Sequence, residues 1–136
     1  MTAPAGVPTM GVAAFYDVTF TSVDAIDRTT GALRQTLATD LADPATVQSL
    51  LTDLHALVAV PAAAAAPACP SPPFPAGARC APLVVFGHGL DGSKETMFAV
   101  ASSLAQAGVV AAAIDFPLHG ARNWCSQSSD CAVPGT

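Results

Sequence analysis

Three hydrophobic patterns alternate along the second half of this chain. Leu83-Val84-Val85-Phe86 is an unbroken apolar run, the signature of a short strand covered on both faces of a parallel sheet. From Met97 the period changes: Met97, Val100, Ala101, Leu104 and Ala105 fall at i, i+3, i+4, i+7 and i+8, one face of an amphipathic helix. Val109 to Ile114 is a second buried run. The punctuation between them fits. Gly87, Gly89 and Gly92 break the chain after the first run, and glycine allows backbone angles that side chains forbid. Ser93 suits an N-cap, Glu95 puts a negative charge in the first turn, and Gly108 suits the position just past the helix end. Asp115 then opens a loop containing Pro117 and Gly120. Strand, helix and strand at this spacing predict a right-handed βαβ crossover.

The first half is less regular. Met1 to Met10, rich in Pro, Gly and Ala, reads as a loose tail or a linker from a preceding domain. Val12 to Phe20 has strand composition, either as an early strand of the same sheet or as the last strand of an upstream domain. Asp24 to Gly31 is a turn signal. Its two aspartates are read as turn caps, because the ligand spacing of a calcium loop would continue further. Asp43-Pro44 starts a helix well, and Val47, Leu50, Leu51 and Leu54 predict an amphipathic helix over 45–54. His55 follows at a helix–strand junction and is read as structural. Ala56 to Pro61 reads as a strand. Ala62 to Ala68 and the proline-rich segment after it predict a stiff, exposed excursion rather than a polyproline ligand. These boundaries divide the chain into residues 1–44, a tail with a possible edge strand, and residues 45–136, one α/β unit.

Composition narrows the function. The chain has 136 residues, 51% of them hydrophobic, enough for one small core, though much of that fraction is alanine. A formal charge of −5 argues against nucleic acid and against an anionic membrane surface, and Arg28, Arg34, Arg79, Lys94 and Arg122 are scattered. No run approaches the roughly 20 apolar residues of a membrane-spanning helix. The start lacks the basic and apolar regions of a signal peptide, so an export signal, if there is one, would lie upstream. Four cysteines form two close pairs, Cys69 with Cys80 and Cys125 with Cys131, and neither has the spacing of a zinc site. Local disulfides in an oxidising compartment are the economical reading, set against four unpaired thiols in a cytoplasmic protein. Trp124 beside Cys125 is read as packing the last loop onto the domain.

Phe86-Gly87-His88-Gly89-Leu90 and, after one helix, Ile114-Asp115-Phe116-Pro117-Leu118-His119-Gly120 together resemble the front of an α/β-hydrolase domain. The second string, with a Cys-containing loop after it, resembles bacterial extracellular lipases and esterases. The resemblance covers roughly the last 80 residues. It implies an α/β fold: the N-terminal part of a three-layer hydrolase sheet, incomplete before the nucleophile. It places an oxyanion-hole donor on the backbone after His88-Gly89, on Leu90, with Gly89 letting the backbone approach the substrate. His88 would brace the loop, and Asp115, His119 and Gly120 would shape the rim of the site. Asp115 would cap its own turn.

The triad itself is expected elsewhere. In this superfamily the nucleophile sits in Gly-x-Ser-x-Gly, followed by the acid and then the histidine. None of Ser22, Ser49, Ser71, Ser93, Ser102, Ser103, Ser126, Ser128 or Ser129 is flanked that way. The expectation is therefore a fragment of a secreted, periplasmic or cell-surface serine hydrolase acting on small-molecule or lipid carboxylic esters, inactive alone, with no cofactor or metal. Its partner would be the missing C-terminal half of the domain, because Leu83 to Phe86 would otherwise keep an open apolar edge prone to aggregation. A non-catalytic binding or scaffolding domain of the same fold, or a peptidase or acyltransferase, stands as the alternative.

Overall fold

The computed structural model describes residues 1–70 and 73–122. Strand β1 (Val12–Val23) leads through a turn and the single-turn helix α1 (Leu37–Asp40) to helix α2 (Pro44–Leu50). Strand β2 (Leu51–Pro61) follows directly. A disulfide-closed excursion then leads to β3 (Leu83–Phe86). A 3-10 turn (Lys94–Met97) runs into α3 (Phe98–Gln106), and β4 (Val110–Ile114) ends in loops and a second 3-10 turn (Gly120–Arg122). The described strands form one mixed sheet in the order β1-β2-β4-β3. β1 and β2 are antiparallel, as are β2 and β4, while β3 and β4 are parallel and joined through α3. The α/β fold expected from the sequence is present, and Val12 to Val23 belongs to this sheet.

Alternation along each strand fixes what the sheet buries. Phe15 lies opposite Ala59, and Leu57 opposite Ala113. With Ala111 they form the floor on which Met97, Phe98 and Ala101 pack. The Phe15 and Phe98 rings meet edge to face, with centroids 5.0 Å apart and planes at 70°. Small alanines on β2 and β4 let α3 sit close across β1, β2 and β4. The helix stripe read from the sequence faces this core, although Phe98 is buried with it and Val100 and Leu104 are only partly covered. Helix α3 stops as expected. Gly108 adopts φ +74°, the Gly108 N–H bonds the Ala105 carbonyl at 3.0 Å, and the Val109 N–H bonds that of Leu104 at 2.9 Å, the paired bonds of a Schellman motif.

Several expectations need correction. Helix α2 ends at Leu50 rather than Leu54, because Leu51–Pro61 continues the ladder against β1 from Val23↔Leu51 onward. His55 consequently lies inside β2, opposite Thr19, with Nδ1 3.1 Å from the Asp17 carboxylate. The first ten residues lie against the domain: Ala3 and Val7 touch the core, and the Met10 carbonyl accepts the Ser102 hydroxyl at 2.9 Å. Ser93 precedes the 3-10 turn without capping it through its side chain. Strand β3 is not covered on both faces. Leu83 is 61% and Val85 70% exposed, and among the described residues β3 is the last strand of the sheet.

The turn aspartates act as read. Asp24 accepts from the Ile26 N–H at 3.1 Å and from Arg28 Nε at 2.5 Å, and Asp27 accepts from the Thr29 N–H at 2.8 Å. The Cys69–Cys80 disulfide is formed, closing the excursion where Ala68 bridges Arg79. The Cys125–Cys131 pair and Trp124 lie outside the described residues.

Candidate active site

β3 and β4 run parallel, so their C-terminal ends lie side by side, and the loops that leave them meet. In open α/β sheets this is the end where ligands bind. The loop after β3 carries His88, Gly89 and Leu90; the loop after β4 carries Asp115, His119 and Gly120. The fold thus brings the expected residues together at one sheet end.

His88, only 6% exposed, connects the two loops. Its Nε2 accepts the Phe116 backbone N–H at 3.1 Å, so that nitrogen carries no proton. The proton resides on Nδ1, which donates to the Gly89 carbonyl at 2.9 Å. The two bonds hold the ring in one orientation. Its ring lies 4.7 Å from that of Phe116 and 5.2 Å from that of His119. His119 bonds its own loop, Nδ1 lying 3.0 Å from the Pro117 carbonyl. Leu118 between them has φ +67°, a left-handed angle rare for leucine.

Asp115 is 2% exposed. Its carboxylate reaches 21 residues back to Lys94, a partner that the turn-capping expectation did not include. Oδ1 accepts the Lys94 backbone N–H at 2.7 Å, and Oδ2 accepts the Lys94 ammonium at 3.1 Å. The ammonium also lies 3.0 Å from Glu95 Oε1. Burial works against the Lys94 ammonium, but the hydrogen bonds to Glu95 and Asp115 outweigh it and raise its pKa above the ordinary lysine value. Burial likewise opposes the Glu95 carboxylate, and bonds from Ser93 and Lys94 outweigh it and lower that pKa. The Asp115 carbonyl accepts from Arg122 Nη1 at 3.1 Å. Gly120, at φ +51°, leaves room for the Asp115 carboxylate, which a Cβ there would overlap.

Between these two attachments the chain makes a turn. The Gly92 N–H donates to the Gly89 carbonyl at 3.1 Å, and Asp91 takes φ +57° at the third position, an angle aspartate tolerates. Leu90 stands at the tip, 90% exposed. Among the described residues nothing accepts its backbone N–H. A Cβ on Gly87 would come within 2.9 Å of the Phe116 ring, so glycine is required there by packing. Gly89 has open space around it; the structure gives no packing reason for glycine at that position.

A small cleft lined by Asp53, Leu54, His55, Ile114, Asp115 and Arg122 lies on the β2 side of β4 and shares Asp115 with this cluster. Among the described residues no three His, Cys, Asp or Glu side chains gather as a metal would require. No helix there is long and apolar enough to cross a membrane.

The comparisons agree with the resemblance at a coarser level. The family model described as platelet-activating factor acetylhydrolase, isoform II, matches residues 15–128. The chain belongs to this family. It is a family of serine ester hydrolases within the α/β-hydrolase superfamily, and it includes secreted enzymes. No curated protein and no solved structure matches the chain. The match begins in β1 and runs through the whole meeting of loops at the sheet end.

Sequence reasoning missed two members of this cluster, Lys94 and the Phe116 N–H. Neither has a local signal. Both present backbone N–H groups across a crossover, Lys94 adding its ammonium, and only the pairing of β3 with β4 brings them to Asp115 and His88.

Proposed function

We propose that this chain supplies the oxyanion-hole loop of a serine hydrolase acting on small-molecule or lipid carboxylic esters. The observation that carries the reading is the Leu90 N–H, unbonded among the described residues, at the tip of a turn tied at both ends to the loop after β4. An oxyanion hole needs such a donor, fixed in place before charge develops. Leu90 is the donor in this reading, Gly89 and His88 set the loop, and Asp115, His119 and Gly120 form its rim. Family membership supports ester hydrolysis over the peptidase, acyltransferase and non-catalytic alternatives. The likeness to bacterial extracellular lipases belongs to this proposal too.

No serine of the sequence has the Gly-x-Ser-x-Gly setting of a nucleophile. In our reading the nucleophile comes from a further segment whose strand pairs with the open edge of β3, and this chain alone turns over no ester. The disulfide supports a secreted, periplasmic or cell-surface protein.

The test is Leu90→Pro in the intact hydrolase. Proline suits the second position of such a turn, and it removes the N–H together with a side chain that is 90% exposed. We expect kcat on a p-nitrophenyl ester to fall by about 10²–10³ with little change in KM, the usual effect of losing one oxyanion donor. A kcat within threefold of the parent would remove Leu90 from that role.

A further inference from the structure

We propose that Asp115 is a positioning residue for the turn that presents the Leu90 N–H, an inference that rests on the oxyanion reading above. The turn has little support of its own. Within it the Gly92 N–H and the His88 ring both bond the Gly89 carbonyl, and the next backbone bond, from Thr96 N–H to the Ser93 carbonyl, already belongs to the 3-10 turn. Its fixity comes from two external ties, His88 Nε2 to the Phe116 N–H and the Lys94 N–H to Asp115 Oδ1. The two anchors are neighbours in the chain, so they lie one peptide apart. They hold both ends of a seven-residue segment, His88 to Lys94, against a single point where β4 ends.

The tie at Lys94 is the more unusual. A buried carboxylate is costly unless it is paired and hydrogen-bonded. Asp115 uses both oxygens on one residue, the backbone N–H on Oδ1 and the ammonium on Oδ2, with 3% and 13% of the two side chains exposed. The ammonium secures the carboxylate, and the carboxylate secures the backbone at which the turn ends. Gly120 keeps the space that this requires. Asp115 does not touch the Leu90 N–H; it acts through Lys94 and the turn.

The full 136-residue chain, labelled with ¹⁵N, tests the tie directly. Amide hydrogen exchange at Lys94 and backbone order at Leu90 and Asp91 are compared in the parent chain, Asp115→Ala and Asp115→Asn, with Phe98→Leu as a destabilised control. In Asp115→Ala we expect the Lys94 amide to exchange at least tenfold faster and Leu90 and Asp91 to lose order. Asparagine keeps a neutral acceptor and should restore part of that protection. It carries the test alone if the alanine variant does not fold. Unchanged loop amides in the Asp115 variants, or the same changes in the control, would overturn the proposal. The intact hydrolase separates this from the oxyanion reading. If Asp115→Asn loosens the turn and lowers kcat about tenfold at nearly constant KM, both stand. If it loosens the turn and leaves kcat alone, Asp115 still positions the turn but the turn is not the oxyanion hole.

Discussion

Replacing Gly120 with alanine should destabilise the domain for two separable reasons. First, Gly120 has φ +51°, and a residue with a Cβ loses about 1–2 kcal/mol in that left-handed conformation. Second, the added Cβ would overlap the Asp115 carboxylate and push it off Lys94. Leaving such buried partners unmatched costs about 1–3 kcal/mol. The expected total is therefore about 2–5 kcal/mol. Gly77→Ala provides the comparison. Gly77 has φ +83° and nothing within 4 Å of the added Cβ, so it isolates the backbone strain. Urea unfolding followed by far-ultraviolet circular dichroism gives both values by linear extrapolation. Gly120→Ala should exceed Gly77→Ala by about 2 kcal/mol, the central value for the stranded bonds. Equal losses in the two variants would mean that the Asp115 carboxylate is not held in place by the space at Gly120, and the argument for its grip on Lys94 would fail with it.

Opening the Cys69–Cys80 bridge, by Cys69→Ser with Cys80→Ser, should cost about 3 kcal/mol in the same assay, the loop-entropy value for a short ring closed across 11 residues; an unchanged midpoint would mean that the excursion contributes nothing to the unfolding equilibrium. Phe98→Ala removes a 6%-exposed ring stacked edge-on against Phe15 and should cost about 3–5 kcal/mol, whereas a loss under 1 kcal/mol would show that α3 does not pack there. The Lys94–Glu95 pair should shape the pH dependence at both extremes. Glu95, with its folded pKa lowered, stabilises above the ordinary value of 4.5, and this is lost as pH falls through the folded value. Lys94, with its folded pKa raised, stabilises below 10.5, and this is lost as pH rises through the folded value. Melting temperatures of Lys94→Met should therefore lack the alkaline decline of the parent chain, and an identical alkaline slope would refute the assignment.

What the sequence made legible was local. The period-3.6 stripe from Met97 to Ala105, the glycine stop at 108 and the apolar run of β4 all act within a few residues, and each is where the pattern placed it. The helix at Asp43-Pro44 starts as read, with the Asp43 carboxylate accepting from the Ala45 and Thr46 N–H groups. Its end was misjudged because Leu50, Leu51 and Leu54 satisfy a helical stripe as well as a strand, and the competing period of two in Asp53-Leu54-His55-Ala56 is only decided by pairing with β1. At the candidate site the sequence shows the right neighbourhood but not the right bonds. His88 could be read as a brace, yet its acceptor role toward Phe116 depends on a contact 28 residues away. Asp115 read as a turn cap because the turn is what the sequence shows beside it; Lys94 comes to it through the whole crossover.

Strand β3 presents the opposite case, in which the sequence pattern and the structure disagree informatively. Four consecutive apolar residues are the pattern of a strand inside a sheet, yet Leu83, Val84 and Val85 are exposed. Val85, Ala112, Val58 and Tyr16 lie in one apolar row across the four strands. Tyr16, Val18 and Phe20, which alternate with core-facing Phe15, are exposed as well, on the face that α3 does not cover. Neighbouring strands lie about 4.8 Å apart, so a strand paired with the edge of β3 that is unpaired among the described residues would end beside the loop that β3 itself feeds. That loop carries the Leu90 N–H. In the reading proposed above, the edge of β3 that carries no partner strand among the described residues is the place from which a nucleophile would reach the Leu90 N–H, so one added strand would both cover that edge and complete the site.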